Sequence, residues 1–504
     1  MLCRVGRTPY LLGASLLAIV SLPACPVVAQ EPATRPSPTA PGQPSEAPQT
    51  PVPVIPEVLP NQPPPTVPSA PQRVLPPETV RVVPTATFQF EPSITLSEEY
   101  TDNFNLTERN KESNFRTTVA PGLRLLINTP LTRGVIAYTF SPAYDTAPDD
   151  FSLFHSLLGQ VVWQANPRWT LTLADAFTRS DEAGQADRLA LRQERRKFTS
   201  NTLSLSSDYL IGTVATRQSY QWSLFDNDDG AETSSHILAA SATVPLYQVH
   251  LVTGGYEYLT SETSGGTDTT VTGFGGSSGD FDVTGHRLTA SGSRRLNPVT
   301  LVGLRTSYAW RNVTSELRER DFQLWNAAVF SDYQLPGRLL LRGSVGVSGV
   351  MADSGETLGP LLSTLTSLTY QFGRAVATVA VDRGYSETFA EGENFGLVET
   401  EGITVSLTYP FTPTLSGTAS GFFRHNEFTD VVSDSRAGLQ NDRETESWGG
   451  TILFTYQMLR NLLLDLSYSY VRQEGFGGRS GVSDVGADNS YTENRVRASI
   501  RLNF

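Results

Sequence analysis

Arg495-Val496-Arg497-Ala498-Ser499-Ile500-Arg501-Leu502-Asn503-Phe504 closes the chain. In an extended segment side chains alternate sides with period two. That puts Val496, Ala498, Ile500, Leu502 and Phe504 on one face and Arg495, Arg497, Ser499, Arg501 and Asn503 on the other. The same alternation recurs upstream. In Ile403-Thr404-Val405-Ser406-Leu407-Thr408-Tyr409 every odd position is apolar and every even one carries a hydroxyl. Leu462, Leu464, Leu466, Tyr468 and Tyr470 oppose Asp465, Ser467 and Ser469. Leu304, Thr306, Tyr308 and Trp310 oppose Arg305, Ser307, Ala309 and Arg311, and Leu339, Leu341, Val345 and Val347 oppose Arg342, Ser344 and Ser348.

A soluble sandwich also alternates, so two further features decide the class. Aromatic residues such as Trp169, Trp222, Tyr258, Trp448 and Tyr456 end the apolar faces, as interfacial girdles do. The connections also keep a phase. Tight ones fall at Asn128-Thr129-Pro130, Ala165-Asn166-Pro167, Leu210-Ile211-Gly212, Val244-Pro245-Leu246, Leu296-Asn297-Pro298, Leu335-Pro336-Gly337, Phe372-Gly373-Arg374, Pro410-Phe411-Thr412 and Met458-Leu459-Arg460. Between them lie long acidic or Gly-rich stretches such as 181–196, 261–280, 389–399, 430–442 and 475–489. Short turns at one rim and long loops at the other predict a single all-β transmembrane antiparallel β-barrel of about 18–20 strands over residues 87–504. An even strand count puts both ends at the turn rim, in the periplasm. The terminal strand, with Val496, Ala498, Ile500, Leu502 and Phe504 on its apolar face, has the pattern expected of a barrel-insertion signal.

The two ends of the chain differ from this texture. Arg4 and Arg7 precede a short apolar run and a Val-x-Ala site ending at Ala29, which reads as a secretory signal peptide over residues 1–29. Leu22-Pro23-Ala24-Cys25 offers the alternative of a lipid-carrying Cys25. Cys3 and Cys25 are the two cysteines, so a chain cut after Ala29 has neither a disulfide nor a thiolate metal site. Residues 30–86 hold about half of the 33 prolines and read as a disordered periplasmic linker. No later stretch has the roughly 18 uncharged apolar residues of a membrane-crossing helix.

Composition narrows function. The 504 residues carry 38 basic and 51 acidic groups, a net charge of −13, which argues against a nucleic-acid partner, since such affinity comes from clustered Lys and Arg. Five histidines are present and none has H-E-x-x-H spacing. Gly275-Gly276-Ser277-Ser278-Gly279 matches a nucleophile-elbow string but lies in a Gly/Ser-rich loop without the strand and helix that elbow needs. His425-Asn426-Glu427 reads as rim polarity, and Asp226-Asn227-Asp228-Asp229-Gly230 lacks the closing Glu of a calcium loop. The expectation is no enzyme, no cofactor and no metal. A barrel of this size encloses more space than its inward side chains fill, so function is sought in the lumen. Arg305, Arg311, Arg342, Arg424, Arg497 and Arg501, with Asp465, are the pore-lining candidates. They would draw anions, or else form a structural ladder with carboxylates such as Asp465 and Asp382.

Ser93-Ile94-Thr95-Leu96-Ser97-Glu98-Glu99-Tyr100-Thr101-Asp102-Asn103-Phe104, followed by Thr117-Thr118-Val119-Ala120-Pro121-Gly122-Leu123, resembles the opening of the outer-membrane β-barrel porin family found with exopolysaccharide and capsule biosynthesis systems. The Asp-Asn pair after a Tyr and the later Pro-Gly carry the resemblance, and the Pro-rich leader departs from it. The resemblance implies a conduit through which a newly made polysaccharide leaves the cell, working with a periplasmic polysaccharide export protein. The residues themselves leave two alternatives open, a general or anion-preferring diffusion porin and a plugged barrel serving as surface scaffold or adhesin.

Overall fold

The computed structural model describes residues 87–504 except 183–194, 229–231, 248, 265–280, 316–318, 336–337, 353–356, 389–396, 429–443 and 477–489. The expected signal peptide, the proline-rich linker, the Gly275–Gly279 string and much of the predicted loops lie outside the described residues.

Twenty strands form the wall. They are β1 (Thr87–Thr101), β2 (Asn114–Asn128), β3 (Thr132–Asp145), β4 (Asp150–Asn166) and β5 (Trp169–Ser180). Next come β6 (Phe198–Ile211), β7 (Val214–Asn227), β8 (Glu232–Leu246), β9 (His250–Ser264) and β10 (Phe281–Asn297). The second half holds β11 (Thr300–Ser315), β12 (Glu319–Leu335), β13 (Leu339–Ala352), β14 (Thr357–Phe372) and β15 (Ala375–Glu387). It ends with β16 (Leu397–Pro410), β17 (Leu415–Phe428), β18 (Glu444–Leu459), β19 (Leu462–Phe476) and β20 (Tyr491–Asn503). Each pairs antiparallel with its neighbour in sequence, and β1 pairs with β20 from Ser93↔Asn503 to Thr101↔Arg495, closing the ring. Closure leaves no open sheet edge. Of the two strand numbers the sequence allows, the higher is the one formed.

The turn-rim connections fall at or within a few residues of where the sequence places them, with one correction. Val244-Pro245-Leu246 continues β8, paired with Val252, Leu251 and His250, and the link follows at 247–249 because the strand runs on past the proline. The loop rim is less uniform than expected, because the links at 146–149, 228–231, 316–318 and 353–356 are short. β9 also runs on to Ser264 and β16 starts at Leu397, inside two stretches the sequence gives to loops.

Alternation sorts side chains as the pattern predicts. Leu304, Val345, Val405, Ile452, Leu466, Val496, Ile500 and Phe504 all lie exposed on the outside of the wall. Aromatics ring this outer face at two levels. Near the turn rim Trp163 lies 6.3 Å from Trp169, which lies 6.5 Å from Tyr209, and Tyr409 stacks edge-on to Phe411 at 5.0 Å. Towards the loop rim a single diagonal recurs, in which a Tyr hydroxyl on one strand meets a polar side chain on the next. The pairs are Tyr138–His155 and Tyr220–His236 at 2.8 Å, Tyr256–His286 at 2.7 Å, Tyr308–Gln323 at 2.5 Å and Tyr468–Asn494 at 2.7 Å. Trp448 and Tyr456, one at each level of β18, are eight residues or about 27 Å apart along a tilted strand, close to the height of a lipid-facing band.

Candidate functional site: the lumen and its loop-side mouth

The inward face is lined by small hydroxyl side chains that bond one another across strands. Thr243 pairs with Thr253 at 2.9 Å, Ser235 with Ser261 at 3.0 Å, and Thr369 with Thr378 and Thr408 with Thr418 at 3.2 Å. Such pairs hold sheet register and present a polar wall.

The arginines named from sequence all face inward, but in three different settings. Arg311 and Arg424 are buried and ion-paired. Arg424 lies 3.5 Å from Asp382 and donates to Thr400 at 3.3 Å. Arg305 and Arg342 share one wall, where Arg305 bonds Ser344 and Asp332 stands opposite Arg342 in register. Arg497 and Arg501 donate to Ser97 at 3.4 Å and to Thr95 at 3.3 Å, across the closing seam. Asp465 takes a hydrogen bond from Thr455 at 2.7 Å. Of the two carboxylates proposed as ladder partners, Asp382 is one and Asp465 is bonded to a hydroxyl. Arg305 on β11 and Arg342 on β13 lie nine and seven strands from Arg497 and Arg501 on β20 in the ring of twenty, so the two groups stand on opposite sides of the lumen.

Two inward-folded segments narrow the loop-side mouth. The first comprises the ends of the β5–β6 connection. Arg116 on β2 grips Asp145 at 2.8 Å, Asp181 at 2.5 Å and Glu182 at 3.5 Å. Arg195 reaches Glu182 at 3.1 Å and Glu493 on β20 at 2.7 Å, while Arg495 holds Glu182 at 2.7 Å and Glu493 at 3.1 Å. Phe104 and Phe154 stack over these guanidiniums. The contact from Arg195, just before β6, to Glu493 on β20 spans six strands, so the described ends of this connection reach inward at the opening. Burial works against ionisation of Glu182, yet Arg195, Arg495 and Arg116 outweigh it and hold the carboxyl well below the usual carboxylate range.

The second is the loop-side end of β15. Val379 and Val381 pair with the outward Val405 and Ile403, so strict alternation would send Tyr385 and Glu387 outward too. Gly384 takes φ 155°, a value that favours glycine, and the strand changes face there. Tyr385 and Leu397 then pack on the inward cluster of Leu259, Val283, Val313, Phe322 and Val350. Glu387 accepts from Arg311 Nε at 2.9 Å and from Arg287, four and five strands away, and Glu257 lies 3.3 Å from Arg287. The side chain of Arg311 is fully shielded from solvent.

Sequence reasoning reaches Arg311 but misses Glu387, Arg287 and the whole β5–β6 cluster. One signal was available, a glycine interrupting an alternating strand before a Tyr-x-Glu. His425-Asn426-Glu427 comes apart: alternation puts His425 outward, 3.5 Å from Glu446, and Asn426 inward. Asp228 of the acidic turn pairs with Arg179 at 2.8 Å, and Asp229 and Gly230 lie outside the described residues.

The Asp-Asn pair has a structural task. Asp102 accepts from the backbone and side chain of Asn494 at 2.7 Å, and the buried Asn103 donates to the carbonyls of Thr107 at 2.7 Å and Thr492 at 2.9 Å. Together they staple the first loop to β20. Pro121 on β2 and Pro142 on β3 both fall in a gap in the β2–β3 ladder, between Thr118↔Ala143 and Gly122↔Thr139, where residues without N–H cannot donate.

No protein-family model matches the chain, and no curated protein does. Among solved structures it is similar to the ferric enterobactin receptor PfeA of Pseudomonas aeruginosa (10% identity, 82% of this chain and 80% of that one, TM-score 0.44). It is also similar to the FrpB iron transporter of Neisseria meningitidis (10% identity, 82% of each chain, TM-score 0.45). A third is OccK2 of Pseudomonas aeruginosa in complex with glucuronate (10% identity, 82% of this chain and 98% of that one, TM-score 0.38). At these scores the likeness says nothing about what this chain carries.

Proposed function

We propose that this chain is an outer-membrane conduit, not an enzyme, and that its cargo is a newly made exopolysaccharide or capsular polysaccharide leaving the cell. The hydroxyl-lined lumen carries this reading. Its Ser and Thr side chains exchange hydrogen bonds with sugar hydroxyls without binding them tightly, as conduction requires. Exit at the loop side is limited by the two inward-folded segments. The resemblance of residues 93–123 to the exopolysaccharide-associated family supports the cargo, and a periplasmic polysaccharide export protein is the partner on the turn side. The strand ending at Phe504 serves as the signal to the barrel-insertion machinery, and outer-membrane lipid surrounds the apolar face.

The opposed arginine groups favour a second reading, an anion-preferring diffusion porin. One comparison separates the two. In a strain lacking this gene, surface polysaccharide, periplasmic polysaccharide and small-solute uptake are measured against the parent. Loss of surface glycan with build-up in the periplasm is the expected result. Normal glycan with slowed solute uptake overturns export and leaves the porin. A change in neither leaves the plugged surface scaffold.

A further inference from the structure

The outside of the barrel carries a groove of about 390 Å³ at the closing seam. It lies between two cross-strand rows on β18, β19, β20 and β1. One row is Phe454, Leu466, Ala498 and Glu98, and the other is Tyr456, Leu464, Ile500 and Leu96. Ala498 makes the groove: the outward neighbours on the same strand are Val496 and Ile500, so its methyl leaves a gap over Leu466. Three strand spacings give a length of about 14 Å, the form of a slot for a hydrocarbon chain.

One end of the slot is charged. Glu98 faces outward, one outward position below Tyr100, whose neighbour across β20 is Val496. It takes a hydrogen bond from Thr117 Oγ1 at 2.8 Å, and no cation pairs with it among the described residues. An ionised side chain on a lipid-facing wall is costly, and such residues occur where something pairs with them. An apolar slot closed by a lone carboxylate fits an amphiphile with a cationic head.

We propose that this groove binds a phospholipid bearing a primary ammonium headgroup, with an acyl chain along the slot and the ammonium on Glu98. The ammonium supplies the charge that Glu98 lacks, and the chain covers the gap over Ala498. An anionic lipid of the same chain length fills the slot equally well but places a negative head near a carboxylate. The inference rests on the reading of the outer face as membrane-facing.

The test is carried out on the full chain in nanodiscs made with equal amounts of phosphatidylethanolamine and phosphatidylglycerol of identical acyl chains. Lipid kept on the barrel after mild detergent release is counted by native mass spectrometry. A charge-assisted contact predicts retention of one phosphatidylethanolamine over phosphatidylglycerol by about tenfold. Glu98→Gln should erase the preference while lipid is still retained, and Ala498→Phe should fill the slot and lose both. Asp175, a second outward carboxylate that does not line this groove, is the control, and Asp175→Asn should leave the preference intact. Equal retention of the two lipids by the parent chain overturns the proposal, as does an unchanged preference in Glu98→Gln or its loss in Asp175→Asn. A dimer that Ala498→Phe separates would make the groove a contact between copies, which also overturns it. Failure of the parent chain to enter nanodiscs would instead overturn the membrane reading, and this inference with it.

Discussion

Arg287 and Arg311 are both buried in the lumen, and Glu387 reaches both more closely than Glu257, which lies 3.3 Å from Arg287 and 3.8 Å from Arg311. Removing one partner of a buried ion pair leaves an uncompensated charge, a loss of about 3–5 kcal/mol. Glu387→Ala should therefore lower the midpoint of heat-induced barrel unfolding in detergent. It should also raise single-channel conductance, because the loop-side end of β15 loses its hold. Glu387→Gln, which keeps shape and one acceptor, should fall between the two. The other clamp sets a pH prediction. A carboxyl held below its unfolded value adds stability above that value and loses it as pH falls through the folded one. With Glu182 held well below the usual carboxylate range by Arg195, Arg495 and Arg116, conductance should be flat from neutral pH down to about pH 5 and rise only in stronger acid. A rise already complete near pH 6 would exclude Glu182 as the group responsible. Arg195→Gln removes one of the charges holding that carboxyl down and should move the rise to higher pH. At this scale the sequence is partly legible. Period two places Arg305, Arg311, Arg342, Arg424, Arg497 and Arg501 inside. It is silent on Glu182 and Arg195, which lie beyond the strand ends, and misleading for Glu387, which follows a face change.

Strands were legible where alternation is strict. β16, β19 and β20 could be drawn from their apolar residues alone, because one face meets hydrocarbon and the other water. Turns were legible through Pro and Gly, and Gly212 and Gly373 do take positive φ where tight connections need it. The loop rim was less legible, since a strand can continue beyond the apolar band on polar residues alone, as β9 does to Ser264. The first hairpin gives an element-scale prediction. Asn103 is fully buried and bonds to two carbonyls on different elements. Asn103→Ala should cost about 1–3 kcal/mol for the acceptors left unpaired. It should make the β1–β20 seam the first place where amide hydrogens exchange, read by mass spectrometry of the peptides covering residues 93–101 and 495–503. Uniform exchange around the ring would show that the staple does not guard the seam.

For the molecule as a whole, the ring of twenty and its two-sided chemistry were readable, and the narrowing of its mouth was not. Narrowing depends on contacts between elements four to six strands apart, and no local period encodes such distances. The opposed arginine groups belong to this scale, since neither wall acts alone on a solute in the centre. Replacing Arg305 and Arg342 with Ser should move the reversal potential in a salt gradient towards cation preference, and adding Arg497→Ser and Arg501→Ser should move it further. An unchanged potential would assign these side chains to wall structure only. Deleting Phe504 should lower the yield of assembled barrel in cells, since the last strand then lacks its terminal apolar residue and its N–H bond of 2.9 Å to the carbonyl of Pro92.

The pairing of β1 with β20 has one more consequence. In its hydrogen bonding the wall is an endless belt, and the chain ends are a single cut in it. A circularly permuted chain, joined between residues 504 and 87 and reopened at Gly212, would keep the same neighbours around the whole circumference. Its new last strand would be β6, ending in Tyr209-Leu210-Ile211 with no terminal phenylalanine. The belt is indifferent to where it is cut, while assembly, if it reads the final strand, is not, so such a chain separates the stability of the finished wall from the signal that gets it built.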